Sequence, residues 1–282
     1  LTDLGHALAG AIVGAHMNIP VAHIHGGDIS GTIDESMRHA ITKFSHIHFP
    51  ATKKSANRIR QLGEEDWRIH PVGAPGLDEI LSEKIMSKKE LFKKYNFDEK
   101  KPLIMIIQHP VTTEPEIAGR QMEIIMSAVS NFDSQNILLY PNADAGSNNI
   151  MKIIKRYSSK KNNFVYKNLE RKIYLSFLKN ADVLVGNSSS GIIEAPSFKI
   201  GVVNIGNRQF GRERAENVID VDFNESEIVS AIKKVLEDKK FKNKLKKISS
   251  PYGDGKASKR IVKILTEIDI NDKLIEKKFC DI

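Results

Sequence analysis

Short apolar runs and longer amphipathic stretches alternate along almost the whole chain, and this alternation narrows the fold more than any other feature. Apolar runs of strand length bounded by glycine or proline read as strands, and an apolar repeat near 3.6 residues reads as helix. In the first half the pattern predicts helices over 7–16, 34–44 and 52–62, and strands over 21–25, over 46–49 and around 68–72. In the second half it predicts strands over 103–108, 137–140, 164–166, 183–186 and 201–205. Helices are expected over 118–132, 149–157 and 171–178, with a short one starting near Gly191 and a helical tail over 225–247 and 256–268. Strands separated by helices pair in parallel, because each crossover returns the chain to the same end of the sheet, and such sheets are covered on both faces. The expected class is α/β. The charged stretch 82–101 reads as a boundary between two domains.

A length of 282 residues fits about two domains of ordinary size. The single cysteine, Cys280, excludes an internal disulfide framework and a cysteine-based zinc site. No apolar run approaches the roughly 20 residues that cross a bilayer, and no secretory leader pattern opens the chain, so a cytoplasmic protein without a membrane partner is expected. The net charge of +8 lies in short lysine clusters, at 152–161 and 239–247, rather than in a basic stripe interleaved with aromatics. That pattern argues against nucleic acid and suits a polyanionic small ligand such as a nucleotide diphosphate. The chain opens at Leu1, directly before a helix, and its first half holds few strands for a doubly wound domain. The expectation is that an N-terminal segment is missing from it.

In open α/β sheets, ligands bind beyond the carboxyl ends of the strands. Strand 21–25 runs into His25-Gly26-Gly27-Asp28-Ile29-Ser30-Gly31, and the next helix begins at Asp34 with Arg38 one turn on. Asp34 and Arg38 share a helix face, which fits either a site or a capping carboxylate paired to its own arginine. Strand 103–107 ends in Gln108-His109-Pro110-Val111-Thr112-Thr113, which sets a histidine where acid–base work near neutral pH can be done. Strand 137–140 ends in Pro141-Asn142-Ala143-Asp144-Ala145-Gly146-Ser147, and Lys167 stands just past strand 164–166. The strongest local signal is Asn187-Ser188-Ser189-Ser190-Gly191-Ile192-Ile193-Glu194 after strand 183–186. Serines and a glycine leading into a helix offer N–H groups and hydroxyls to an anion, and Glu194 can accept from a ribose diol. Arg208, after strand 201–205, adds positive charge. Together these strand ends point to a phosphorylated or nucleotide-linked ligand held in an interdomain cleft.

The same residues carry a resemblance. His23-Ile24-His25-Gly26-Gly27-Asp28, Asp34-Glu35-Ser36-Met37-Arg38-His39, Gln108-His109-Pro110, Pro141-Asn142-Ala143-Asp144, Gly186-Asn187-Ser188-Ser189, Arg208-Gln209-Phe210-Gly211-Arg212 and Tyr252-Gly253-Asp254-Gly255 occur in the order seen in the hydrolysing UDP-N-acetylglucosamine 2-epimerases. The chain resembles that family from about residue 3 to about residue 265. The resemblance implies a GT-B-like fold of two Rossmann-like parallel-sheet domains, with the first incomplete here. Residues 1–80 would form the partial sugar-side domain and 81–254 the nucleotide-binding domain, with a helix at about 255–270 joining the first.

The implied reaction converts UDP-N-acetylglucosamine and water to N-acetylmannosamine and UDP, by elimination to a 2-acetamidoglucal and addition of water. It would supply nonulosonate synthesis with no cofactor and no metal, in a homo-oligomer (dimer or tetramer). The implied catalytic set is Asp3, His25, Asp34, Arg38 and His109. The implied binding set is Asn142 and Asp144 for the sugar, Ser188, Ser189 and Gly191 for the diphosphate, Glu194 for the ribose and Arg208 for the phosphate. Lys167, read from its place at a strand end, is expected to bring positive charge to the same edge of the sheet. Two features depart from the family pattern. Thr2-Asp3-Leu4-Gly5-His6 stands where members read Gly-Asp-Arg and then an acidic residue, and His25 stands where some members carry glutamate. The rival readings are a hydrolysing epimerase of a UDP- or GDP-linked diacetamido sugar, a non-hydrolysing 2-epimerase, a GT-B glycosyltransferase and a chain that only binds UDP. The non-hydrolysing enzymes typically read His-Val-Glu-Ala-Gly at the strand end that here reads His23-Ile24-His25-Gly26-Gly27.

Overall fold

The computed structural model describes residues 4–30, 34–82 and 84–281. The chain divides into two compact units, one of Leu1–Ser82, Phe210–Glu213 and Pro251–Ile282, the other of Glu83–Gln209 and Arg214–Ser250. The first unit opens with α1 (Leu4–His16), β1 (Ala22–Ile24), α2 (Asp34–Phe44), β2 (Ile47–Phe49), α3 (Lys53–Gln61) and α4 (Gly76–Ser82). Strands β1 and β2 are parallel, with Ala22 opposite Ile47 and Ile24 opposite Phe49. Thr52 caps α3 by accepting the Ser55 N–H at 3.1 Å.

The strand expected around 68–72 does not form. A 3-10 turn at Asp66–Arg68 is followed by a single bridge between Ile69 and His48. The His70 and Val72 N–H groups still donate to the His48 and Pro50 carbonyls at 2.8 and 3.1 Å, but Pro50 has no N–H to return to the second segment, so the ladder stops at one bridge. The turn also sends Arg68 inward, where it is 1% exposed. Its guanidinium donates to the carbonyls of His46 at 3.2 Å, Leu274 at 2.7 Å, Lys273 at 2.8 Å and Glu276 at 3.1 Å.

The second unit begins with α5 (Lys88–Tyr95), inside the stretch read from sequence as a boundary. A capping box starts it: Ser87 accepts the Glu90 N–H, and the Glu90 carboxylate accepts the Ser87 N–H at 2.8 Å. There follow β3 (Leu103–Ile107), α6 (Ala118–Val129), β4 (Gln135–Leu139), α7 (Ser147–Tyr157), β5 (Asn163–Tyr166), α8 (Arg171–Asn180), β6 (Val183–Gly186), α9 (Ser190–Ile193), β7 (Gly201–Ile205), β8 (Val218–Val221), α10 (Glu225–Glu237) and α11 (Lys239–Leu245). The helix expected over 225–247 breaks at Asp238, whose carboxylate accepts the Lys240 and Phe241 N–H groups at 2.7 and 3.0 Å and starts α11. Strand β8 was not expected.

Among the described residues the sheet of this unit runs β5-β4-β3-β6-β7-β8, every pair parallel. This is the dinucleotide-fold order, with its reversal between β3 and β6. Alternate residues face opposite sides. Ile104, Ile106, Leu138, Val185 and Val203 pack with Ile125, Ile150 and Ile232 of the helices, while Met105, Ile107, Ile137 and Leu184 pack with Phe92 and Phe177. Gly186 closes β6 at φ +124°, and a Cβ there would sit 2.2 Å from the Ile107 carbonyl oxygen, so only glycine allows β6 this close to β3. Helices α12 (Ala257–Glu267) and α13 (Asp272–Ile275) complete the first unit, where Ile261 and Leu274 pack on Ile47, Phe49 and Val72.

Candidate functional site

The reversal point of the six-stranded sheet carries a polar web. His109 follows β3 and Asn187 follows β6, and the two residues clasp each other. The Asn187 side chain accepts the His109 N–H at 2.8 Å and donates to the His109 carbonyl at 2.8 Å. Asn187 is fully buried, and its own carbonyl accepts from Gln209 at 2.9 Å and from Arg208 at 3.2 Å. The Asn142 N–H, beyond β4, donates to His109 Nδ1 at 3.1 Å, and the Asn142 side chain bonds to Asp144. The ends of β3, β4, β6 and β7 are thus tied to one histidine.

Burial, and after it the nearby Arg208 charge, hold His109 down at about 4. Its imidazole is neutral at pH 7. Since Nδ1 accepts, the proton sits on Nε2, which makes this atom a hydrogen-bond donor. Ser188 is buried and its hydroxyl accepts the Ser190 N–H at 3.3 Å; Ser189 and Gly191 complete the turn into α9. Glu194, at the end of α9, pairs with Arg171 at 2.5 Å. Burial and the Glu194 carboxylate push the Tyr174 hydroxyl up. Lys167 is exposed after the edge strand β5 and is not brought onto the web around His109.

In the first unit, His25 follows β1 at φ +67°, a left-handed conformation that a histidine adopts at a cost. Its N–H donates to the Phe49 carbonyl at 2.9 Å, while its Nε2 is buried with no hydrogen-bond partner among the described residues. Arg38 is buried in α2 and donates to the Asp28 carbonyl at 3.1 Å and to Ser30 Oγ at 3.4 Å. Asp34 is the first residue of α2, beside Glu35, which accepts the Ser30 N–H at 2.9 Å. His23 is pushed to about 3, first by burial and then by His48 and Arg38, and its Nδ1 lies 3.2 Å from the Thr42 hydroxyl. Asp3 lies outside the described residues.

Asn187 and Gln209, which organise the web, and Asp28 and Arg212, a buried pair joined at 2.9 Å, lie in the motifs marked from sequence, but sequence reasoning gave none of them a role. The signal for Asn187 was its place at a strand end opposite another strand-end residue. Among the described residues, no cluster of histidine, cysteine, aspartate and glutamate could hold a metal ion. No helix is long and apolar enough to cross a membrane among them.

Comparison with known proteins fits this geometry. The family model described as UDP-N-acetylglucosamine 2-epimerase matches residues 1–266. A UDP-N,N'-diacetylbacillosamine 2-epimerase (hydrolyzing) from Legionella pneumophila is 42% identical over 98% of this chain and 72% of its own length. A UDP-N-acetylglucosamine 2-epimerase from Neisseria meningitidis is 36% identical over 85% of this chain and 63% of its own length. The crystal structure of UDP-GlcNAc 2-epimerase from Neisseria meningitidis bound to UDP-GlcNAc superposes with a TM-score of 0.80 at 20% identity, over 93% of this chain and 73% of that one. That likeness shows the GT-B fold. With the family's motifs at its strand ends and its model matched from residue 1 to 266, the chain belongs to the UDP-N-acetylglucosamine 2-epimerase family.

Proposed function

We propose that this enzyme is a hydrolysing 2-epimerase of a UDP-linked 2-acetamido sugar and serves nonulosonate synthesis. The observation that supports it most is the web at the reversal point of the sheet, where a neutral histidine, an arginine and a serine-rich turn meet. The second unit then holds the nucleotide. Ser188, Ser189 and Gly191 receive the diphosphate, Arg208 offsets its growing charge, and Glu194 accepts from the ribose. Asn142 and Asp144 orient the sugar. His109 donates from Nε2 to the departing diphosphate, whose charge rises as the C1–O bond breaks. Asp34, Arg38 and His25 of the first unit, with Asp3, serve the sugar.

In the elimination a base among Asp3, His25 and Asp34 takes the C2 proton, the C2–H pair forms the C1=C2 double bond, and UDP leaves with the C1–O pair. Water then adds its hydroxyl at C1 and a proton at C2 on the opposite face, which releases the free 2-epimer. We take UDP-N,N'-diacetylbacillosamine as the preferred donor, because the Legionella relative is the more similar of the two enzymes and aligns over more of this chain. UDP-N-acetylglucosamine is the second reading, supported by the Neisseria relative.

Proton NMR in heavy water tests both. Each nucleotide sugar is incubated separately with the protein. Free UDP together with a free 2-epimer deuterated at C2 is the expected result, faster with the diacetamido donor. UDP still attached to the epimerised sugar would mean a non-hydrolysing enzyme. Transfer of the unepimerised sugar to an acceptor would mean a glycosyltransferase.

A further inference from the structure

The loop after β7 leaves Arg212 in the first unit, and no role has been assigned to it above. Its Nε lies 2.9 Å from Asp28 Oδ2, with the two side chains 10% and 3% exposed. Asp28 is the third residue after His25, and Arg38 holds the Asp28 carbonyl at 3.1 Å. The turn that presents His25 is thus gripped at Asp28 from two sides, on its backbone by α2 and on its carboxylate by Arg212. The grip matters because His25 is strained: a left-handed histidine relaxes unless its surroundings fix it. Gly27, at φ +72°, lets the same turn pass so close to α3 that a Cβ would meet the Ser55 carbonyl at 2.2 Å.

We propose that Arg212, through its buried ion pair with Asp28, is a positioning residue that holds His25 in its strained turn and keeps it uncharged, ready to exchange a proton with a bound sugar. The proposal rests on the hydrolysing-epimerase reading, and it concerns how His25 is set up rather than which step it serves. A buried imidazole whose Nε2 has no partner among the described residues is a group kept available. The charged and titratable groups that face it come from every neighbouring element. They are Asp28 on its own turn, Arg38 on α2, Arg212 on the 210–213 segment and His23 on β1, with the Tyr252 ring 6.0 Å away. Burial is the largest influence on His25 and Asp28 the next, opposed by Arg212 and then Arg38; the balance leaves it at about 4.

The two halves of the ion pair push His25 in opposite directions, which gives the test. The His25 ring proton is followed by NMR against pH in the ligand-free protein, assigned with H25Q. The parent midpoint is expected well below the ordinary histidine value of about 6.5; a midpoint at or above it would overturn the proposal without any further variant. R212Q removes a cation and frees the carboxylate, so the midpoint should rise by about one pH unit, whereas D28N should lower it. R212K should keep the parent titration and lose turnover at unchanged KM, because its charge remains and its planar fork does not. Midpoints that stay put in folded R212Q and D28N, or move the same way, refute the inference. Absence of turnover by the parent on nucleotide sugars refutes the functional reading, and the titration, read without substrate, is independent of it.

Discussion

Replacing Asn187 with alanine isolates what the clasp at the sheet reversal contributes. The side chain is 0% exposed and makes both of its bonds, at 2.8 Å each, to the backbone of a single residue, His109. Alanine therefore removes two hydrogen bonds at about 1 kcal/mol each and leaves the His109 N–H buried without a partner, at about 1–2 kcal/mol more. The His109 carbonyl suffers less, because Gln108 Nε2 also reaches it at 3.3 Å. The sum is about 3–4 kcal/mol, which in a folded unit of this size is a fall of about 6–16 °C in Tm. Calorimetry of the parent and N187A measures it. N187D is the informative companion: it keeps an acceptor for the N–H and sets a carboxylate oxygen against the His109 carbonyl, so it should be no more stable than N187A. If N187A melts within about 2 °C of the parent, or N187D restores stability, the clasp does not organise this end of the sheet.

Three further outcomes are expected. R68M should cost about 3–5 kcal/mol, because buried carbonyls from two distant segments lose their shared donor, and proteolysis should then cut first near residues 273–276. His23 and His25 lie at about 3 and about 4 in the folded protein, below their unfolded value, so the unfolded chain binds more protons as pH falls. Their stabilisation is complete above about pH 6.5 and is lost toward pH 4, by about 1.4 kcal/mol per histidine per pH unit; Trp67 fluorescence in urea, which reports the first unit, should show midpoints falling through that window and flat above pH 7. H109Q should lower kcat by about 100-fold or more while UDP affinity, measured by calorimetry, changes little.

The sequence made the interior of the second unit legible and its edge illegible. Strands β3, β6 and β7 are continuous apolar runs with both faces covered, and their pattern says so. Strand β8 is an edge strand interrupted by Asp220, which accepts from Asn204 at 2.8 Å and also pairs with Arg214, so its pattern reads as loop. Helix α5 hides in a lysine-rich stretch where charge masks the two buried positions, Leu91 and Phe92. At the site, strand-end glycines and polar residues marked the right segments. They could not show that Asn187 clasps a residue 78 positions earlier, or that Asp28 is matched by Arg212. Such pairings are properties of topology, and so is the burial of Arg68, which follows Glu64-Glu65-Asp66-Trp67 in what reads as surface sequence.

The reach of Arg68 bears on the order of events at the ribosome. Three of its acceptors lie 205, 206 and 208 residues further along, so the first unit begins to be made before the second and can be finished only after it. At about 5–20 residues per second, the guanidinium waits roughly 10–40 s for its carbonyls, long enough for the intervening Rossmann-ordered sheet to emerge. During that interval the nascent first unit exposes Ile47, Phe49 and Val72, the surface that Ile261 and Leu274 later cover. A chaperone that binds apolar segments has its window there, and slow codons placed after residue 250 would lengthen it.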